Sequence, residues 1–183
     1  MPRFSSGRER RLWLLTLAVV VAIYATLGLA KSMAGLLTDR GLLSLAFSTA
    51  MLLVLCTIVT EGLKTRPRGL AIGAAFGIAA VYLLVFLRMS IPEERSHLLE
   101  YSVVAVFIHE ALKERVSNGF WAPMPALSAF AATCAIGIVD ELIQALLPSR
   151  VFDSRDIVFN VLAAVMAIGA SVVLDSIRRR IRS

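Results

Sequence analysis

PALSAFAATCAIGIVDELIQALL, residues 125–147, is the stretch on which the reading of the chain turns. Asp140 and Glu141 are its only charges, and at 1.5 Å rise per residue it is long enough to cross a bilayer core of about 30 Å. Prolines mark both ends, Pro125 opening the run and Pro148 following it. A helix through it sets Asp140 about 12 Å and Gln144 about 6 Å below the exit at Pro148. The two acids therefore lie in hydrocarbon, where an ionisable group costs about 2.5–3.5 kcal/mol and needs a partner or a task. Asp140 and Gln144, four apart, share a helix face, and Glu141 adjoins Gln144 at three, giving one polar stripe.

Comparable runs extend from Leu12 to Ala30, Gly41 to Thr60, Gly69 to Leu87, Ser96 to Leu112 and Ile157 to Leu174. The run from Ser96 is short and carries His97, Glu100, His109 and Glu110; it is retained because the topology closes with it. The 183 residues are 58% hydrophobic and 17% charged, with a mean hydropathy of +0.79, which sets the chain apart from soluble domains. The expectation is an all-α polytopic transmembrane bundle of six spans, one membrane domain over residues 1–183. The first run follows a basic start, as a secretory signal does. Its length and the spans behind it favour an uncleaved helix over cleavage at Gly28-Leu29-Ala30.

A formal charge of +6 does not imply nucleic acid, because the arginines sit in short clusters beside apolar runs, where they meet lipid headgroups. Thirteen of the 19 Lys and Arg fall on one side: Arg3, Arg8, Arg10 and Arg11 at the start, the Lys64–Arg68 and Lys113–Arg115 loops, and Arg178–Arg182. The other side holds Lys31, Arg40, Arg88, Arg95, Arg150 and Arg155. Both termini are therefore expected in the cytoplasm. Cys56 and Cys134 lie within apolar runs and read as small packing residues rather than a disulfide or metal pair. Gly69, Gly73 and Gly77 recur on one helix face, a pattern for close helix packing, with a ligand groove as the alternative.

Two further spans bring polar residues to the depth of the Asp140 stripe from the same outer side. Asp156 and Asn160 are one turn apart, with Ala163, Ala164 and Ala167 beyond them for tight contact. The fourth span begins Glu93-Glu94-Arg95-Ser96-His97, and helical spacing sets His97 beside Glu100 and Tyr101. If the three ends pack together, Asp140, Glu141, Gln144, Asn160, His97, Glu100 and Tyr101 form a buried cluster with Arg95, Arg150, Arg155 and Asp156 toward its mouth.

Buried carboxyls and a histidine exchange protons near neutrality, which makes His97, Asp140 and Glu141 candidates for catalysis. Arginines at the rim suit the forked recognition of a phosphate or carboxylate. The competing reading is structural: the acids pair with Arg95, Arg150 or Arg155 and tie helices together. No metal centre or cofactor is expected, because His97 and Glu100 supply two ligand types but neither an HExxH pattern nor a cysteine pair is present. GxSxG is absent too. His109 and Glu110, close to Lys113 and Arg115, read as interfacial anchors.

Asp140-Glu141-x-x-Gln144, Pro148-x-Arg150 and Asp156-x-x-x-Asn160, preceded by Glu93-Glu94-Arg95-Ser96-His97-x-x-x-Tyr101, resemble the two motifs of the VanZ-like membrane proteins. The resemblance covers residues 93–174. It departs from the family at Glu94, where a lysine is common, and at Ala163, where a glycine is; Arg95 is the substitute charge partner. What it implies is a multi-pass protein of the bacterial cytoplasmic membrane with a role in the cell envelope, its namesake being associated with resistance to the glycopeptide teicoplanin. On this basis the ligand expected is a membrane lipid headgroup or a lipid-linked envelope precursor, bound without chemistry. The alternatives are a small membrane enzyme acting on a lipid-linked substrate and a proton-coupled carrier, the latter disfavoured by the apolar inner halves of the helices and the lack of inverted repeats.

Overall fold

In the computed structural model of the chain, residues 4–27, 35–37, 39–63, 69–89, 92–148 and 153–182 are described, less the side chains of 61–62, 92–93 and 181–182. Six long helices follow one another: α1 (Gly7–Thr26), α2 (Leu43–Leu63), α3 (Gly69–Arg88), α4 (Pro92–Ser117), α5 (Pro125–Leu146) and α6 (Ser154–Arg182). No strand occurs among the described residues. Four of the helices, α2, α3, α5 and α6, are long and apolar enough to cross a membrane. Charges interrupt the other two, at Arg8, Glu9, Arg10 and Arg11 in α1 and at Arg95, Glu100, Glu110 and Lys113 in α4.

Local chemistry sets the helix ends. Ser6 caps α1, its hydroxyl accepting from the Glu9 N–H at 3.0 Å. Pro125 opens α5, where a missing N–H leaves no bond unmade. Gly119, at φ 79°, takes the left-handed conformation that stops α4, while Phe120 N–H returns to the Arg115 carbonyl at 3.2 Å.

The most polar of the long helices is the central one. α4 packs on α6, α1, α5 and α2, with α3 completing the bundle against α2 and α6. In lipid there is no hydrophobic gain in hiding a leucine from a tail, so the helix that benefits from enclosure is the one carrying charge. Ile23, Val104, Ala105, Ile108, Ala129, Ala164, Ala167 and Ile168 form one core between α1, α4, α5 and α6. Met51, Tyr82, Phe86, Met89, Leu98, Tyr101 and Ala163 form a second on the α2–α3 side. The outer surface is apolar: Phe76, Leu84 and Leu87 of α3 are each more than half exposed. Ala163, Ala164 and Ala167 are buried, as their small size permits.

The glycine stripe of α3 behaves otherwise than expected. A methyl group added at Gly69, Gly73 or Gly77 meets nothing within 4 Å, so this face is not the packing surface. The buried face of α3 carries Ala71, Ala75, Ala79, Tyr82 and Phe86 instead: alanines admit the neighbouring backbones and the aromatic rings fill the space beyond.

His97 of α4 meets Asp156 of α6 at one end of the bundle and Lys113 meets Asp175 at the other, so α4 and α6 run parallel. Arg8 pairs with Glu114 at 2.6 Å and Arg115 with Glu9 at 3.0 Å, which sets the start of α1 against the end of α4. The start of α1 and the end of α6 therefore share one end of the bundle, and the cluster predicted from sequence lies at the opposite end. α1 belongs to the core through Ile23 and donates the Tyr24 hydroxyl to the Ile136 carbonyl of α5 at 2.8 Å. Gly28-Leu29-Ala30 lies outside the described residues.

Candidate functional site

The site grows from three helix segments. In α4, His97 and Tyr101 are one turn apart with stacked rings, centroids 5.9 Å apart and planes at 26°. The Tyr101 hydroxyl donates to Asp140 Oδ2 of α5 at 2.8 Å, a bond between fully buried groups. One turn of α5 separates Asp140 from Gln144, whose Nε2 lies 3.4 Å from Glu141 Oε1. Asp153 caps α6 by accepting the Arg155 N–H at 2.8 Å. That cap fixes the first turn, in which Asp156 brings Oδ2 to 3.4 Å from His97 Nε2. A carboxylate in the first turn also sits at the favourable end of the helix dipole.

Asn160, one turn further along α6, lies against Gly137 of α5. A Cβ at Gly137 would stand 2.8 Å from Asn160 Nδ2 and 3.0 Å from Asn160 Cβ, so only glycine lets α5 and α6 close to this separation. Gly137 precedes Glu141 by one turn and belongs to the same polar face. Asn160 is 1% exposed, and among the described residues neither of its amide atoms has a hydrogen-bond partner; Glu141 Oε2 and His97 Nδ1 are likewise buried without one there. One ligand-type atom each from His97, Glu141 and Asp156 lie within 4.8 Å of one another.

The structure thus gathers His97, Tyr101, Asp140, Glu141, Gln144, Asp156 and Asn160 at one end of the bundle. One expected member lies elsewhere. The Arg95 guanidinium donates to the Met89 carbonyl at 2.9 Å and stacks over Phe86 at 4.9 Å, so it serves the α3–α4 corner. Glu100, half-buried, brings its charge to bear on His97 and Tyr101 and also lines a lateral groove of about 820 Å³, which runs along α1, α2, α4 and α6 toward Arg8 and Arg178. Arg150 lies outside the described residues. Arg155 reaches Glu94 at 3.4 Å, so of the three arginines offered as partners for the buried acids, neither Arg95 nor Arg155 fills that role.

Sequence spacing also missed some participants. Glu94 holds Arg155 at the rim, and Gly137 admits Asn160; the second was traceable as a glycine one turn before Glu141 on the polar face. At the opposite end Glu9 is fully buried, bonded to Arg115, to the Trp13 indole at 3.3 Å and to the Ser5 N–H. Glu110, read from sequence as an anchor, joins Arg8, Lys113 and Ser171 there. Comparison with family models, with curated proteins and with solved structures found no match for the chain.

Proposed function

We propose that the chain is a six-span protein of the bacterial cytoplasmic membrane, both termini cytoplasmic, that binds the polar head of a membrane lipid or lipid-linked envelope precursor in this cluster beneath the outer face. Support for the orientation comes from the thirteen-to-six division of Lys and Arg, with Arg8, Lys113 and Arg178 at the richer end. Support for an envelope role, and for an effect on glycopeptide susceptibility, comes from the VanZ-like pattern of His97, Tyr101, Asp140, Glu141, Gln144, Asp156 and Asn160.

The observation that carries the ligand reading is the buried Asn160 amide, unbonded at both atoms among the described residues, in company with the likewise unbonded Glu141 Oε2. A polar group left so costs about 1–3 kcal/mol, which a ligand that bonds it recovers. At the rim, Arg155 is mostly exposed and only loosely tied to Glu94, which leaves its fork available to a phosphate or carboxylate. Mass spectrometry of lipids that copurify with the wild type and with Asn160→Ala and Asp140→Asn tests the proposal. The expected outcome is an anionic or lipid-linked species held by the wild type and depleted in both variants. An identical lipid complement in all three, at equal protein yield, contradicts it.

A further inference from the structure

We propose that His97, Glu141 and Asp156 form a binding site for a divalent transition-metal cation of the zinc type. Each comes from a different helix, α4, α5 and α6, and the donor atoms lie within 4.8 Å of one another. A cation at their centre is no more than about 2.8 Å from each, and a contraction of under about 1 Å brings the bonds to the 2.0–2.2 Å of zinc with nitrogen and oxygen ligands. The ligand chemistry selects the ion. An imidazole nitrogen with two carboxylates suits zinc, cobalt, manganese or ferrous iron, whereas magnesium and calcium favour oxygen alone.

Charge points the same way. Among the described residues, the basic side chain paired with Asp156 is His97, and Glu141, fully buried, has none. Among the described residues neither Arg95, which lies on Met89 and Phe86, nor Arg155, whose carboxylate contact is Glu94, pairs with Glu141 or Asp156. Two carboxylates and one imidazole in an enclosed setting are matched in charge by a doubly positive ion, which also bonds the Glu141 Oε2, buried without a hydrogen-bond donor among the described residues. The surroundings hold the ligands in place: Gln144 bonds Glu141, and the Tyr101 ring, itself fixed by its bond to Asp140, stacks on His97. Asp156 retains 15% exposure of its side chain, which gives an ion a way in from the surface. Three protein ligands leave a coordination position open, the arrangement of reactive rather than purely structural zinc. The site does not depend on the lipid reading.

The test uses the full chain in detergent micelles, stripped with chelator and titrated with Zn²⁺, Co²⁺ or Mg²⁺. Zn²⁺ and Co²⁺ are expected to raise the unfolding temperature, Co²⁺ to give visible d–d absorption, and Mg²⁺ to do neither. Glu141→Gln and Asp156→Asn keep side-chain shape and are expected to weaken Co²⁺ binding at least about 100-fold, more than the loss of an outer-shell partner does. Asp156→Asn, at the exposed rim, is the variant that leaves the buried packing intact. No shift with Zn²⁺ or Co²⁺ in the wild type overturns the proposal. Binding equal in the wild type and Asp156→Asn overturns it too. Lipid retention is read separately, so either proposal can fail alone.

Discussion

Gly137 and Gly73 look alike in the sequence, each a glycine within an apolar run, yet they stand in opposite surroundings. At Gly137 a methyl group collides with the Asn160 side chain at 2.8 Å, and at Gly73 it meets nothing. Gly137→Ala is therefore expected to force α5 and α6 apart and to destabilise by about 1–3 kcal/mol. Gly73→Ala, free of contacts, is expected to be neutral or to stabilise by about 0.4–1 kcal/mol through the unfolded chain. Unfolding of both variants in micelles checks the pair; equal effects contradict the assignment of faces. The buried members of the site were legible because a charge in an apolar run draws notice by its cost. Spacing ranks Glu100 and Tyr101 equally beside His97, and does not say which of the two bonds Asp140; in the fold it is Tyr101.

Among the helices, α4 departs most from what hydropathy measures. Its charges disqualify it as a span by composition, yet it is the element the others surround, because its two polar ends are matched by α5 and α6 at one end and by α1 and α6 at the other. The joint with α1 is the more ordinary in its chemistry. Ser6 both caps α1 and donates its hydroxyl to Glu114 Oε1 at 2.8 Å, while Arg8 bridges Glu114 and Glu110. The Ser6 hydroxyl, and then the Arg8 guanidinium, hold the Glu114 carboxyl below its ordinary value. Hydrogen bonding to Glu114 in turn raises Arg8. Because the folded value is the lower one, the stabilisation is fully present above the unfolded carboxyl pKa of about 4.3 and is lost as pH falls through the folded value. Wild type is expected to exceed Glu114→Gln by about 0.2–1 kcal/mol at neutral pH, a modest figure because Arg8 is mostly exposed. Thermal unfolding of both across that range checks it; a difference that does not shrink in acid contradicts the pairing. The sequence reading saw Glu110 as an anchor at this end but did not foresee Glu9 or Glu114 beneath Arg8 and Arg115, since pairing between distant helices leaves no spacing signature.

For the whole molecule, the all-helical class and the limits of α3 and α5 were readable from run length and from the prolines and charges between runs, while α1, α4 and α6 extend past their apolar runs through charged turns to Gly7, Ser117 and Arg182. The order of packing was not: nothing in hydropathy says that α4 and α6 lie side by side and parallel, or that α3 turns its alanines inward and its glycines outward. Composition gives α2, α3, α5 and α6 a preference for lipid, while neighbours are chosen by side-chain shape and by polar groups finding one another. Tyr101 and Asp140 state that choice most plainly, being 39 residues apart in sequence and 2.8 Å apart in the fold. A double-mutant cycle of Tyr101→Phe and Asp140→Asn, read by unfolding in micelles, tests their meeting directly. The expected coupling is about 1–3 kcal/mol, as for a buried hydrogen bond to a carboxylate. Losses that add to within about 0.5 kcal/mol would mean that α4 and α5 do not meet through these groups, and that the cluster beneath this end of the bundle does not form.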